Sequence, residues 1–256
     1  MLTTLTSVII VLASVLATLG FLFALRRRLP PAKLKDCNDA AGFYITIIGT
    51  IYAVITGFML SGVWVEFDQA SINAEREANC LVSVFRLAGA LPTLQQTQVR
   101  DLARKYAEIM VNEEWSAMAR RDVSQRGIEV TEQMWQSITH LEPHTSGEQN
   151  IVSHLLDELT NMTEYRRIRQ LQSKNNLPGV LWLVLILGGI ITISLPCLFG
   201  IDNVRLHVLY VTALACLVSV MLVAIGDIDS PFQGSVRVAP SGFKYALETF
   251  DKEQYR

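Results

Sequence analysis

The sequence predicts an all-α membrane protein: four transmembrane helices, with a helical extramembrane domain inserted between helices 2 and 3. Four apolar runs, at residues 6–25, 40–65, 177–200 and 206–225, contain no Asp, Glu, Lys or Arg. Each run can cross a hydrocarbon core of about 30 Å at about 1.5 Å per helical residue. The segment 67–176 carries most of the charge, and its apolar residues recur at helical spacing.

These runs divide the chain into four parts. Residues 1–66 hold transmembrane helices 1 and 2, joined by a basic loop at 26–36. Residues 67–176 form the helical stalk domain, and residues 177–226 form a hairpin of helices 3 and 4. Residues 227–256 form a C-terminal tail with one further helical stretch at about 242–251.

The charges beside the first run predict whether this segment is cleaved and how the chain is oriented in the membrane. Arg26, Arg27 and Arg28 follow the run instead of preceding it, which is typical of a retained anchor and not of a cleaved signal. Five basic residues between 26 and 35 favour a cytoplasmic position for this loop, with both termini and the domain 67–176 outside. A second basic group lies just before the third run, on the opposite side, so both orientations stay open: Arg166, Arg167, Arg169 and Lys174.

The second run carries a pattern of small residues. Gly49, Ala53, Gly57 and Ser61 recur every four residues and therefore lie along one face of a helix, with Thr56 adding a hydroxyl nearby. Small residues at this spacing let another helix approach closely in lipid. The face could pack against the other spans of the same chain, or it could form a subunit interface or line a pore.

The second transmembrane helix is predicted to continue beyond the membrane to about Leu87. No Gly or Pro interrupts the chain between Trp64 and Gly89. Apolar or small residues there alternate at steps of four and three, the spacing of a helical seam: Phe67, Ser71, Ala74, Ala78, Leu81, Phe85 and Ala88. Further helices are expected at about 94–121, 128–140 and 146–173.

The sequence carries no motif for a conventional enzyme. Phosphate loops, dinucleotide fingerprints and zinc-protease motifs are absent. The four histidines, at 140, 144, 154 and 207, are expected in loops or on helix surfaces, and the scattered cysteines predict no metal site. We therefore expect no enzymatic activity, no cofactor and no metal, and the net charge of −2 gives no case for nucleic acid.

Two carboxylates follow the fourth run. Asp227 and Asp229 are two residues apart and precede a Ser-Pro turn. They could hold a cation or guard a pore mouth, or they could be solvated carboxylates at the membrane boundary.

Several motifs in order along the chain resemble the bestrophin-like domain family of bacterial membrane proteins. They are Gly57-Phe58 followed by Trp64, Glu77-Ala78, Tyr106, Glu114-Trp115, Leu177-Pro178 before Leu181-Trp182, and the run from Asp229 to Gly234. The resemblance covers nearly the whole chain and implies a multi-pass protein of the bacterial inner membrane. It further implies a homo-oligomer whose second spans surround a pore, as in the ring-shaped anion channels called bestrophins. The aromatic neck and the acidic calcium cluster of bestrophins have no clear counterpart here.

Two functions follow from these observations. The first is an oligomeric ion channel with anions as the expected cargo, in which Arg26, Arg27 and Arg28 concentrate anions at one mouth. The second is a non-conducting scaffold or signal-relay protein whose helical domain binds a protein partner. In both, the lipid bilayer is the surrounding medium.

Overall fold

The computed structural model describes residues 4–254, and every regular element within that range is helical. The α-helices are α1 (Thr4–Arg28), α2 (Pro31–Leu34), α3 (Asn38–Leu87), α4 (Thr93–Ile109), α5 (Trp115–Met118), α6 (Gln125–Thr139), α7 (Ser146–Gln172), α8 (Gly179–Ser194), α9 (Val204–Ile228) and α10 (Ser241–Gln254). Single turns of 3₁₀-helix lie at Lys35–Cys37, Ala88–Ala90 and Leu195–Leu198, and one π-helical turn lies at Met110–Glu114. The predicted all-α class is confirmed.

Four helical segments within residues 4–254 are long and apolar enough to cross a membrane. They contain α1, the first part of α3, α8 and α9. Large apolar side chains on all four are exposed, among them Leu16, Phe58, Leu187 and Leu217. Such exposure suits lipid as the solvent, so the four predicted transmembrane helices are confirmed.

The second span continues without a break into the longest helix of the chain, as predicted. Helix α3 has 50 residues, which correspond to about 75 Å. It ends at Leu87, where a 3₁₀ turn and then Pro92 stop the α-helical hydrogen-bond ladder. The prediction of one uninterrupted helix over 94–121 is wrong, because the π-helical turn interrupts it and α5 ends at Met118.

The chain forms two compact units. The membrane unit contains the chain up to Val65, Asn176–Asp229 and Gly234–Val236. Its packing includes a cluster of Val63, Leu185 and Ile225, and Tyr52 donates a hydrogen bond to the carbonyl of Leu185 at 3.1 Å.

The helical unit contains Glu66–Asn175, Ser230–Gln233 and the chain from Arg237 onward. Its core is formed by apolar residues of α3, α4, α6, α7 and α10, including Leu81, Tyr106, Met134, Leu155 and Phe250. The tail is part of this core, because Phe250 of α10 stacks on a phenylalanine of α3 with ring centroids 4.1 Å apart.

Candidate functional site

The small-residue face of α3 is mostly uncovered. Ala53, Gly57 and Ser61 are exposed, and Gly49 is half-buried. A Cβ atom added at Gly49 or Gly57 would meet no atom within 4 Å. Thr56 differs, because it is 1% exposed and its hydroxyl donates to a carbonyl of its own helix at 2.7 Å. Contacts within the chain therefore use the side of α3 that carries Thr56, and Ala53, Gly57 and Ser61 face outward.

The two carboxylates after the fourth span hold local backbone in place. One oxygen of Asp229 accepts from the backbone N–H of Leu177 at 2.8 Å. Asp227 accepts from the backbone N–H of Ser235 at 3.1 Å and also from the Ser235 hydroxyl. Within residues 4–254 no group of three or more His, Cys, Asp or Glu is placed to hold a metal ion. A role of Asp227 and Asp229 at a cation site or pore mouth stays a prediction.

The three arginines that end α1 are not equivalent. Nη1 of Arg26 lies 2.8 Å from Nδ1 of His207, and Nε2 of His207 lies 3.0 Å from the carbonyl oxygen of Pro196. Because a guanidinium only donates, Nδ1 of His207 accepts and Nε2 carries the proton. His207 is 1% exposed, so the expectation that it lies on a surface is wrong. Arg27 and Arg28 are exposed, whereas Arg26 is half-buried.

A buried charge cluster in the helical unit was not foreseen from the sequence. It consists of Glu77 from α3, Glu114 from the π-helical turn, and Arg166 and Arg169 from α7. Both glutamates and Arg169 are fully buried, and Arg166 is 4% exposed. Charged side chains are almost never this buried unless they are paired. Here two acids face two bases, so the cluster has no formal net charge.

Arg169 and Glu77 form the centre of this cluster. Nε and Nη2 of Arg169 donate to the two oxygens of Glu77 at 2.6 and 2.8 Å, which is the forked geometry of a strong ion pair. Burial has the largest single effect on the pKa of Arg169 and lowers it. The negative charge and hydrogen bonds of Glu77, together with the nearby Tyr106 and Glu114, outweigh burial, so the pKa is raised and the guanidinium stays charged. Tyr106 donates to Glu77 at 2.6 Å, and burial raises the pKa of this phenol well above its usual value. The guanidinium of Arg169 also lies 4.8 Å from the ring centroid of Trp115.

Glu114 binds the second arginine and the start of α6. One of its oxygens lies 3.3 Å from Nη2 of Arg166 and 3.0 Å from Nε2 of Gln170. Its other oxygen accepts from the backbone N–H of Ser124 at 2.9 Å. Nη1 of Arg166 donates to the Thr131 hydroxyl at 2.6 Å. Every member of the cluster is hydrogen-bonded, so the cluster fixes α3, the π-helical turn, α6 and α7 in one arrangement.

A sequence signal for the two buried arginines existed. The buried residues of α7 are Leu155, Leu159, Met162, Arg166 and Arg169, which follow steps of four, three, four and three. Both arginines therefore occupy core positions of the same seam. Sequence reasoning assigned them to the charge balance beside the third span instead.

Comparison with known proteins shows which family this chain belongs to. The model of the Bestrophin-like domain matches residues 12–243. The chain belongs to this family. No match was found among curated proteins.

Solved structures with the same fold are membrane proteins. A crystal structure of a bacterial bestrophin homologue from Klebsiella pneumoniae, carrying a point mutation, is 12% identical with a TM-score of 0.69, covering 98% of this chain and 100% of that chain. A second structure of a Klebsiella pneumoniae homologue is 12% identical with a TM-score of 0.67, covering 96% of each chain. A crystal structure described only as a membrane protein is 11% identical with a TM-score of 0.69, covering 98% of this chain and 99% of that chain. At these identities the likeness concerns the fold, which is that of a multi-pass bestrophin-type membrane protein.

Proposed function

We propose that several copies of this chain assemble into an ion channel of the bacterial inner membrane, with the outward face of α3 lining the conduction path. One observation carries the proposal: Ala53, Gly57 and Ser61 form a small-residue face on a membrane span, and no helix within residues 4–254 covers it. Small residues leave room for a water-filled path or for close approach of a second copy. Membership in the bestrophin-like family supports this reading.

The experiment places a large side chain on this face. Gly57→Leu fills the proposed path, and Gly20→Leu on α1 is the matched control, because both glycines are exposed and neither has an atom within 4 Å of an added Cβ. Purified full-length protein is reconstituted in liposomes, and ion flux and particle mass are measured. We expect flux for the unmodified protein and for Gly20→Leu, with loss of flux or of the oligomer for Gly57→Leu. Equal flux in both variants would contradict the assignment of this face.

The charge of the conducted ion is a separate part of the proposal. The resemblance to bestrophins and the basic end of α1 favour anions. Glu66 and Asp68, which are exposed on α3 just beyond the small-residue face, favour cations instead. The sign of the reversal potential in a KCl gradient decides between them. If the double variant Glu66→Gln/Asp68→Asn reduces cation permeability, the channel conducts cations. The expectation of anion conduction is then wrong, whereas the proposal of a channel still holds.

A signal-relay function is the second candidate, and the unbroken course of α3 favours it. This helix begins at Asn38 and ends at Leu87, so it belongs to both units. A relay protein would show no flux under any condition, and Gly57→Leu would then leave its oligomeric mass and its cellular phenotype unchanged.

A further inference from the structure

The two short links at one end of the membrane unit are held tightly together. Nη1 of Arg26 donates to the carbonyl of Ile201 at 3.0 Å, and the backbone N–H of Gly200 donates to the Asn38 side chain at 2.9 Å. A Cβ atom at Gly200 would lie 2.6 Å from the carbonyl oxygen of Pro31, so only glycine permits this backbone approach. The links 26–39 and 201–205 therefore form one surface, which we call the basic end.

Positive charge is in excess on the basic end. Its two links contain six basic and three acidic residues. Arg27, Arg28, Lys33 and Arg205 are exposed, and none of them has an ion pair with another residue in the described range 4–254. One charge of the surface is already neutralised, since Lys35 pairs with an aspartate.

Two aromatic residues follow the first link in the sequence, at the start of the second span. Phe43 and Tyr44, in the second turn of α3, are both exposed and form an edge-to-face pair with centroids 5.9 Å apart. Tyrosine is enriched at the level of lipid headgroups, where its ring is partly in hydrocarbon and partly in water. We therefore expect the exposed guanidinium groups of the basic end to lie at the level of the lipid headgroups.

We propose that the basic end is a binding surface for anionic phospholipids, in which Arg27, Arg28 and Arg205 hold the headgroup phosphate. Guanidinium groups bind phosphate oxygens in forked pairs, and clusters of basic residues directly beside a transmembrane helix attract anionic lipid. A phospholipid fits better than a free phosphate ion, because its acyl chains also contact the exposed apolar residues of the spans. Leu16 and Phe23 on α1 provide such contacts on the same helix as two of the three arginines.

The test uses the purified full-length protein in detergent, titrated with phosphatidylglycerol or phosphatidylcholine and observed by native mass spectrometry. We expect phosphatidylglycerol to bind and phosphatidylcholine to bind much less. The variant Arg27→Gln/Arg28→Gln/Arg205→Gln should weaken phosphatidylglycerol binding by about 100-fold, since each basic residue near an anionic surface contributes about a factor of five. The charge-preserving variant with Lys at the same three positions should keep the preference for phosphatidylglycerol over phosphatidylcholine but bind it more weakly than the unmodified protein, because an ammonium group lacks the forked geometry.

The matched control removes three exposed positive charges from the helical unit. Lys105, Arg167 and Lys244 are exposed, and their replacement by Gln changes the net charge by the same amount. Binding that falls equally in this control would mean that only the overall charge matters, and the proposal would fail. Competition by inorganic phosphate at millimolar concentration would also overturn it, because the surface would then be a site for a free anion. A melting temperature equal to that of the unmodified protein shows that each variant is folded.

Discussion

Replacement of Arg169 by Met should destabilise the helical unit more than replacement of any exposed residue on the same helix. The change removes two charged hydrogen bonds to Glu77, at 2.6 and 2.8 Å. It leaves the Glu77 carboxylate fully buried with Tyr106 as its remaining donor. Loss of one partner of a buried ion pair costs about 3–5 kcal/mol. For a unit of this size, we expect the melting temperature to fall by about 10–15 °C.

The measurement is the apparent melting temperature of full-length protein in detergent, at one heating rate. Arg167→Met is the control, because Arg167 is the exposed neighbour on α7 and carries the same charge. The double variant Glu77→Leu/Arg169→Met removes both charges and should recover at least half of the loss, since no charge is then left unpaired. The reasoning would be refuted if Arg169→Met lowered the melting temperature no more than Arg167→Met does. It would also be refuted if the double variant lowered the melting temperature by the sum of the decreases seen for Glu77→Leu and Arg169→Met alone.

Further predictions concern single side chains. Cys37 is exposed and should react with a maleimide at pH 8, whereas the buried Cys80 should not. Burial and a hydrogen bond to a glutamate raise the pKa of the Cys80 thiol to about 12, so little reactive thiolate forms at pH 8. Equal labelling of the Cys37→Ser and Cys80→Ser variants would contradict this prediction. Phe250→Ala removes a fully buried ring from the tail helix and should lower the free energy of unfolding by about 3–5 kcal/mol, measured by denaturant titration. Gly188→Ala places a Cβ 2.6 Å from the ring of Tyr52 and should cost about 1–3 kcal/mol; an unchanged melting temperature would show that the ring moves freely.

The spans and the course of α3 could be predicted because length and periodicity determine them. An uncharged run of about 20 residues has few alternatives to a membrane helix, and Gly89 and Pro92 mark where α3 must end. The side of α3 that packs within the chain could not be predicted. Thr56 and Gly57 are adjacent and both compatible with lipid, so hydrophobicity does not distinguish a packed side from an outward one.

The buried charge cluster was missed because charge was taken as a sign of exposure. The buried positions of α3 in the helical unit include Ala70, Ala74, Leu81, Val84 and Ala88, and Glu77 completes their spacing of four and three. The seam predicted from the sequence used Ala78 for that position and did not include Glu77. A glutamate at a seam position requires a partner from another helix, and that pairing depends on residues about 90 positions away in the chain.

The π-helical turn at Met110–Glu114 makes this stretch sensitive to chain length as well as to residue type. A π turn contains one more residue than an α turn, and here Met110 and Glu114 are both buried. Deletion of one residue here would restore an α turn and leave Trp115 on nearly the same face of the helix, because four α-helical residues rotate the chain by about the same angle as five π-helical residues. A further insertion would instead rotate Trp115 and the following residues by about 100° about the helix axis. Insertions should therefore be selected against here more strongly than single deletions, whereas the exposed connection at 140–145 between α6 and α7 should tolerate both.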